Sequence, residues 1–210
     1  MSITLYCHHG WSYDQTFWAP LLAQLPHVTP LLIDEGYYGV PSFPPPPSTP
    51  YWAVGHSAGV MALLGQELPQ CLGLIAINGF AQFHESDDFP HGIPPRMIAR
   101  MQRRLTTQPN DVLHRFRQSC GDHSPLPNAP LQSDRLHAGL ERLCHDNHRP
   151  FLDRWNGRLY SLAGADDPLS PARAGLPAPA QATTRQGGHL LPLTDPAFCA
   201  SFIQTIINNP

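Results

Sequence analysis

The tightest constraint on this chain is Gly55-His56-Ser57-Ala58-Gly59, where an apolar run, Tyr51-Trp52-Ala53-Val54, stops and Val60-Met61-Ala62-Leu63-Leu64 resumes with helical character. The order reads as strand, sharp turn, helix. In such a turn the residues two before and two after Ser57 must be glycine, because a side chain at either place collides with neighbouring backbone. The geometry lifts the Ser57 hydroxyl above the sheet edge. It also aims the Ala58 N–H, at the start of a helix, toward negative charge developing beside the serine. Taken alone the pentapeptide equally suits a plain tight turn, so its meaning depends on what the rest of the chain supplies.

A chain of 210 residues forms one domain with a real core and room for an inserted subdomain. Its formal charge of -3 gives no general attraction to nucleic acid or to a membrane surface. There is no signal-peptide order at the N-terminus and no apolar run long enough to span a bilayer, so a cytoplasmic, monomeric protein is expected. Five scattered cysteines, an odd number without C-x-x-C spacing, suit reduced thiols. Cys7-His8-His9 is the most tempting metal cluster among the 12 histidines, but neighbours on a strand point to opposite faces, so no metal or cofactor is expected.

Ile3 to Cys7 reads as a first strand ending in His8-His9-Gly10-Trp11. Asp14 caps a helix carrying Phe17, Trp18, Leu21, Leu22 and Leu25. Pro30 to Ile33 is a second strand. The stretch from Pro41 to Pro50 lacks donors for helix or ladder, so it is a connector in extended geometry: a stiff strap across the sheet or a pared-down crossover, with a proline-ligand role the minor alternative. The Ser57 helix is expected to run to about Leu68-Pro69, before a strand at Leu72 to Ile77 that Asn78-Gly79 stops. Residues 80–150 lose strand character and read as an inserted helical cap, leaving 1–79 and 151–210 as the core. Strands return at Gly157 to Ala163 and Ala180 to Thr184, and a last helix runs from Pro196 to Ile207. Alternating strands and helices give a doubly wound, mostly parallel sheet of about six strands, with sites at the carboxyl ends of strands.

A serine hydroxyl needs a base, and the base an orienting carboxylate. Gly164-Ala165-Asp166-Asp167-Pro168-Leu169-Ser170-Pro171 places acids beyond a strand end, and Gln186-Gly187-Gly188-His189 places a histidine before the last helix. Asp167 is favoured over Asp166 because Gly164 and Pro171 frame it in a G-x-x-D-x-x-x-P loop. The order Ser57, Asp167, His189 is nucleophile, acid, base. The loop His9-Gly10-Trp11 is assigned a second oxyanion donor, the Trp11 N–H, beside that of Ala58, with the Trp11 indole next to the acyl pocket and His9 as a structural hydrogen-bonder.

These four motifs, HGW, GHSAG, GxxDxxxP and GGH, resemble the α/β-hydrolase superfamily across the whole core. Ala76-Ile77-Asn78-Gly79, Gly92-Ile93-Pro94 and Arg115-Phe116-Arg117-Gln118-Ser119-Cys120-Gly121 bring the chain nearest to the pimeloyl-[acyl-carrier protein] methyl ester esterases of biotin synthesis. The resemblance implies a serine esterase of that fold, from which this chain departs by a reduced N-terminus and a small cap. Substrate contacts are implied at Trp11, Ala58, Phe116 and Cys120, and an acyl-carrier protein bearing the ester is the implied partner. A thioesterase or broad carboxylesterase uses the same groups and is the alternative activity; a binding module on this scaffold would need a broken triad.

Pro94 to Leu105 reads as a helix with proline in its first turn, and its Met97, Ile98, Met101 and Leu105 form a stripe expected to pack down. Arg96, Arg100, Arg103 and Arg104 fall on the adjoining face. With Arg115 they are candidates for carrier contact, since no acid within that helix pairs with them and six of the thirteen arginines lie between Arg96 and Arg117.

Overall fold

A computed structural model describes residues 3–209. Its elements run β1 (Ile3–His8), α1 (Ala19–Leu22), β2 (Val28–Ile33), β3 (Tyr51–His56), α2 (Ala58–Leu64), β4 (Cys71–Ile77), α3 (Pro95–Thr107), α4 (Pro109–Ser119), α5 (Ser133–His145), β5 (Leu159–Gly164), α6 (Ser170–Ala174), β6 (Gln181–Arg185), α7 (Leu191–Thr194) and α8 (Pro196–Asn208). Short 3-10 turns precede α1 and β5, at Gln15–Trp18 and Arg149–Trp155. The six strands form one sheet in the order β2-β1-β3-β4-β5-β6, every neighbouring pair parallel.

Parallel strands are covered on both faces, which is why β3 and β4 read as unbroken apolar runs. Alternate residues still separate: Trp52 and Val54 join Leu5, Cys7, Ile75 and Ile77 on the face packed by α1 and α8, while Tyr51 and Ala53 join Tyr6, Leu74 and Ala76 on the face packed by α2 and Trp155. A third cluster, with Trp11, Met61, Phe80, Ile98, Leu113, Leu136 and Leu140, lies between the helices α3 to α5 and the sheet. These three helices occupy the chain between β4 and β5.

The proline-rich stretch joins β2 to β3 past the intervening β1 without a helix. Asp34 and Ser42 exchange backbone hydrogen bonds of 2.8 and 2.9 Å at its start, and Tyr6 donates to the Pro44 carbonyl at 2.9 Å. Two local expectations are corrected. The helix after Ser57 ends at Leu64, not near Leu68: the His148 ring bonds the Met61 carbonyl of its last turn and lies against Gly65, where a Cβ would stand 2.5 Å from it. On α3, Ile98 and Leu105 are buried and Met101 partly so, but Met97 is 54% exposed, because only the Ile98 side of the stripe meets the other cap helices.

Glu35 ties α5 to the sheet. One carboxylate oxygen accepts from His8 Nε2 at 3.0 Å and the other from Arg142 Nη2 at 2.8 Å, while Arg135 donates to the Glu35 carbonyl at 3.2 Å. Burial alone would push the Glu35 carboxyl up, but His8 and then Arg142 outweigh it and hold it down to about 2. His8 is itself lowered by its burial, against the opposing pull of Glu35. A depressed carboxylate adds stability above its unfolded pKa and loses it as pH falls through the folded one. Urea titrations from pH 6 to pH 2 should therefore show wild type losing on the order of 2–3 kcal/mol, over and above what Glu35→Gln loses, between roughly pH 5 and 2. Parallel acid limbs for the two proteins would remove Glu35 as the anchor.

Candidate active site

Ser57 sits in the turn between β3 and α2 at φ 54°, a backbone region that non-glycine residues seldom occupy. The strain is held by packing: a Cβ on Gly59 would stand 2.1 Å from the His8 carbonyl oxygen, and one on Gly55 would stand 2.8 Å from the Val60 backbone. Ser57 N–H donates to the Ile77 carbonyl at 3.2 Å, and its hydroxyl, instead of capping α2, turns toward His189. Ser57 Oγ lies 3.0 Å from His189 Nε2, and His189 Nδ1 donates to Asp167 Oδ2 at 2.8 Å. All three side chains are buried, with Ser57 5% exposed, His189 1% and Asp167 0%. Asp166 turns outward and accepts from Gln186.

The loops that carry this line approach closely because residues there lack side chains. A Cβ on Gly164 would meet the Gly188 and Gly187 carbonyl oxygens at 2.3 and 2.6 Å. One on Gly10 would stand 3.0 Å from both Ser57 Cβ and His56 Nδ1, so the loop after β1 rests against the serine turn. Two residues that sequence reasoning did not single out complete the setting. His56 Nε2 donates to the His189 carbonyl at 2.8 Å while its ring stacks on Phe17 at 4.4 Å, and burial keeps it well below the usual histidine range. Asn78, wholly buried after β4, donates to Asp167 Oδ2 at 2.9 Å and to the Gly188 carbonyl at 3.1 Å. No spacing rule marks either one, since both act across the tops of neighbouring strands.

Ala58 opens α2, so its N–H has no carbonyl within the helix to bond and lies next to Ser57. Trp11 is 2% exposed in the loop after β1; its indole donates to the Leu136 carbonyl at 3.0 Å and meets the Phe116 ring edge-on at 4.9 Å. His9 is bonded at both nitrogens, donating to the Gly10 carbonyl at 2.8 Å and accepting from Glu35 N–H at 3.1 Å. Phe116 also lines a cavity of about 210 Å³ between α3 and α4, with Met101, Val112 and Ser119 and with Arg100, Arg104 and Arg115 around it. Cys120 is buried away from that cavity in the core cluster, and burial pushes its thiol up to about 12, with Asp167 adding to the effect.

The arginines divide into two sets. Arg96, Arg100 and Arg103 are exposed and without ion pairs among the described residues. Arg104 and Arg115 both bind Asp111 of α4, the latter at 2.8 Å, and Arg117 is buried in a bond of 2.6 Å to Asp122 beneath Tyr13. The free positive face is therefore narrower than the count of six arginines suggests.

No family model matches the chain. Its sequence is similar to the biotin biosynthesis bifunctional protein BioHC of Cellvibrio japonicus, at 29% identity over 197 residues that cover 79% of this chain and 38% of that protein. The chain thus spans less than two-fifths of the length of that curated relative. An esterase from Exiguobacterium antarcticum superposes with a TM-score of 0.83 at 14% identity, covering 99% of this chain and 92% of the other. A bromoperoxidase from Bacillus anthracis does so with a TM-score of 0.80 at 13% identity, covering 100% and 93%. With six parallel strands, helices on both faces and a serine turn after the third strand, the chain has the α/β-hydrolase fold.

Proposed function

We propose that the protein is a serine carboxylesterase acting through an acyl-enzyme, and that its substrate is the methyl ester of a pimeloyl chain carried on acyl-carrier protein. The observation that carries the esterase reading is the buried line Ser57 Oγ, His189, Asp167, with bonds of 3.0 and 2.8 Å. Ser57 attacks the ester carbonyl as His189 Nε2 takes its proton, Asp167 holds the imidazole with Nδ1–H pointing away from the serine, and the N–H groups of Ala58 and Trp11 receive the oxyanion. His189 returns the proton to departing methanol, and water then cleaves the acyl-enzyme by the same route. The three side chains supply nucleophile, base and orienting acid, so the reading calls on no metal or cofactor. The finer substrate assignment is supported by the sequence resemblance and by the similarity to a biotin biosynthesis protein.

Ser57→Ala should fold normally and lose activity by about 10⁶-fold. Labelling of that variant by a fluorophosphonate at the wild-type rate would place the nucleophile elsewhere. The substrate class is tested by comparing kcat/KM for methyl, ethyl and thio esters of varied chain length, free and carrier-bound. A preference for thioesters would replace the esterase by a thioesterase.

Asp167→Asn should lower kcat by about 10⁴-fold, as expected when the carboxylate that orients the base is lost, while Asp166→Asn, which only frees Gln186, should stay within about threefold of wild type. The opposite ranking would transfer the role to Asp166.

Carrier contact is proposed at the exposed face of α3, with the arginine-rimmed cavity beside Phe116 taking part of the acyl chain. Since Arg104 is engaged by Asp111 and Arg100 borders the cavity, the informative variant is Arg96→Glu with Arg103→Glu. It should reduce kcat/KM for a carrier-bound ester about tenfold or more yet leave p-nitrophenyl butyrate unchanged, and added salt should reproduce the loss in wild type. Equal losses on both substrates would reduce the helix to a support of the cap.

A further inference from the structure

We propose that Asn78 is a positioning residue of this site: its side-chain amide holds both the Asp167 carboxylate and the backbone before His189 in the arrangement that lets the imidazole reach Ser57. The inference rests on the hydrolase reading above. Asn78 is 0% exposed and stands at φ 48°, a left-handed conformation that asparagine tolerates better than most residues. Its N–H donates to the Leu162 carbonyl of β5 at 2.8 Å, which pins it at the top of the sheet. From there the two amide protons go to two different loops, to Asp167 Oδ2 at 2.9 Å and to the Gly188 carbonyl at 3.1 Å.

Asp167 Oδ2 is the same oxygen that accepts from His189 Nδ1, while Oδ1 accepts from Leu169 N–H at 2.9 Å. Three donors thus set the plane of the carboxylate. Without Asn78, Oδ2 keeps His189 alone, the group it is meant to orient. Gly188 directly precedes His189, so the second proton of the same amide sets the backbone from which the imidazole projects. The amide cannot be turned round, because its oxygen would then face a carboxylate and a carbonyl. Its Oδ1 is left buried without a partner, an arrangement that folding alone disfavours and that a functional site can retain. Gly164 permits the approach, since a Cβ there would stand 3.0 Å from the amide nitrogen.

Two variants test this in the full chain with p-nitrophenyl butyrate. Asn78→Gly keeps the left-handed backbone accessible and removes the amide. It should lower kcat by about 10–100-fold with KM within about twofold, the loss expected for a misplaced catalytic group. In an Asp167→Ala background the same substitution should cost at least about threefold less in kcat, because the hold on the carboxylate is already gone and only that on the Gly188 carbonyl remains to be lost. Asn78→Asp keeps the shape but sets two carboxyl groups side by side; the other titratable or charged groups at hand are His189 and His56, their rings 4.9 Å apart, the buried Cys120 thiol, and Arg173, which donates to the Asp167 carbonyl at 2.8 Å. The carboxyl pair shares a proton at lower pH, which restores a donor to Asp167, and repels once both ionise. Activity relative to wild type should therefore fall as pH rises. Equal losses in both backgrounds, a pH-independent loss for Asn78→Asp, or an unchanged kcat in Asn78→Gly would overturn the assignment. A wild type that neither hydrolyses esters nor is labelled at Ser57 would instead overturn the hydrolase reading, and this inference with it.

Discussion

The close seating of α2 on the end of β1 is the contact on which the site depends. Gly59 has no Cβ, and the space a Cβ would fill belongs to the His8 and His9 carbonyl oxygens, at 2.1 and 2.6 Å. Any side chain would push the helix start off the strand, at the cost of roughly 1–3 kcal/mol typical of overpacking, against a total stability of about 5–15 kcal/mol for an ordinary domain. More than stability would change. The same seating holds Ser57 at φ 54° and presents the first N–H of α2 beside it, while Gly10 brings the loop after β1 against the serine from the other side. Serine turn, helix start and neighbouring loop thus share one short stretch of backbone contact.

The polar line is suspended from three adjacent strand ends. His56, the last residue of β3, holds the His189 carbonyl; Asn78, just past β4, holds Asp167 and the Gly188 carbonyl; the loop after β5 carries Asp167 itself. In a buried setting each of these hydrogen bonds is stronger than in water and each unpaired group more costly, so the set works as a unit. Register makes this possible: His56 stands opposite Ile77, and Ile77 opposite Leu162, so the three chains leave the sheet at one level.

The frame was legible in the sequence because each part has a local cause. Apolar runs closed by Gly-rich turns mark doubly covered strands, and the Gly-x-Ser-x-Gly spacing states a steric requirement. Ser57, Asp167 and His189 are marked in three separate loops, Asp167 by the Gly164 and Pro171 that frame its turn, and the structure brings the three side chains into one hydrogen-bonded line. What could not be read depends on contacts between distant segments. Asn78 reads as a strand terminator, and only the sheet order reveals that it faces Asp167. Asp111 lies beyond the break at Gln108, so its bond to Arg104 follows from the angle at which α4 leaves α3, which no periodicity records, whereas its bond to Arg115 is an i,i+4 pair within α4. Met97 shares the apolar stripe of its helix yet is exposed, because periodicity gives the direction of a face and not the width of what covers it.

The helices α4 and α5 are fastened to the loop proposed to donate to the oxyanion. Trp11 bonds the Leu136 carbonyl of α5, Tyr38 bonds the Ser12 carbonyl at 3.0 Å, and Tyr13 bonds Asp122, which is held in turn by Arg117 of α4. Gly139 lets the indole lie directly on α5, since a Cβ would stand 2.6 Å from it. Ser12, at φ 71°, is kept in a strained conformation between these ties. Residues 11–13 and the helices α4 and α5 therefore form one packed body, and a displacement of either helix is carried into the loop through direct contacts. The cavity beside Phe116 adjoins that body, since the Phe116 ring rests on Trp11. On the proposed reading, an acyl chain entering there presses on the residue whose backbone serves the reacting carbonyl, so chain recognition and oxyanion geometry are not independent. Packing that is dense and short-ranged transmits displacement, and here it joins the cavity beside Phe116 to the loop that rests against Ser57.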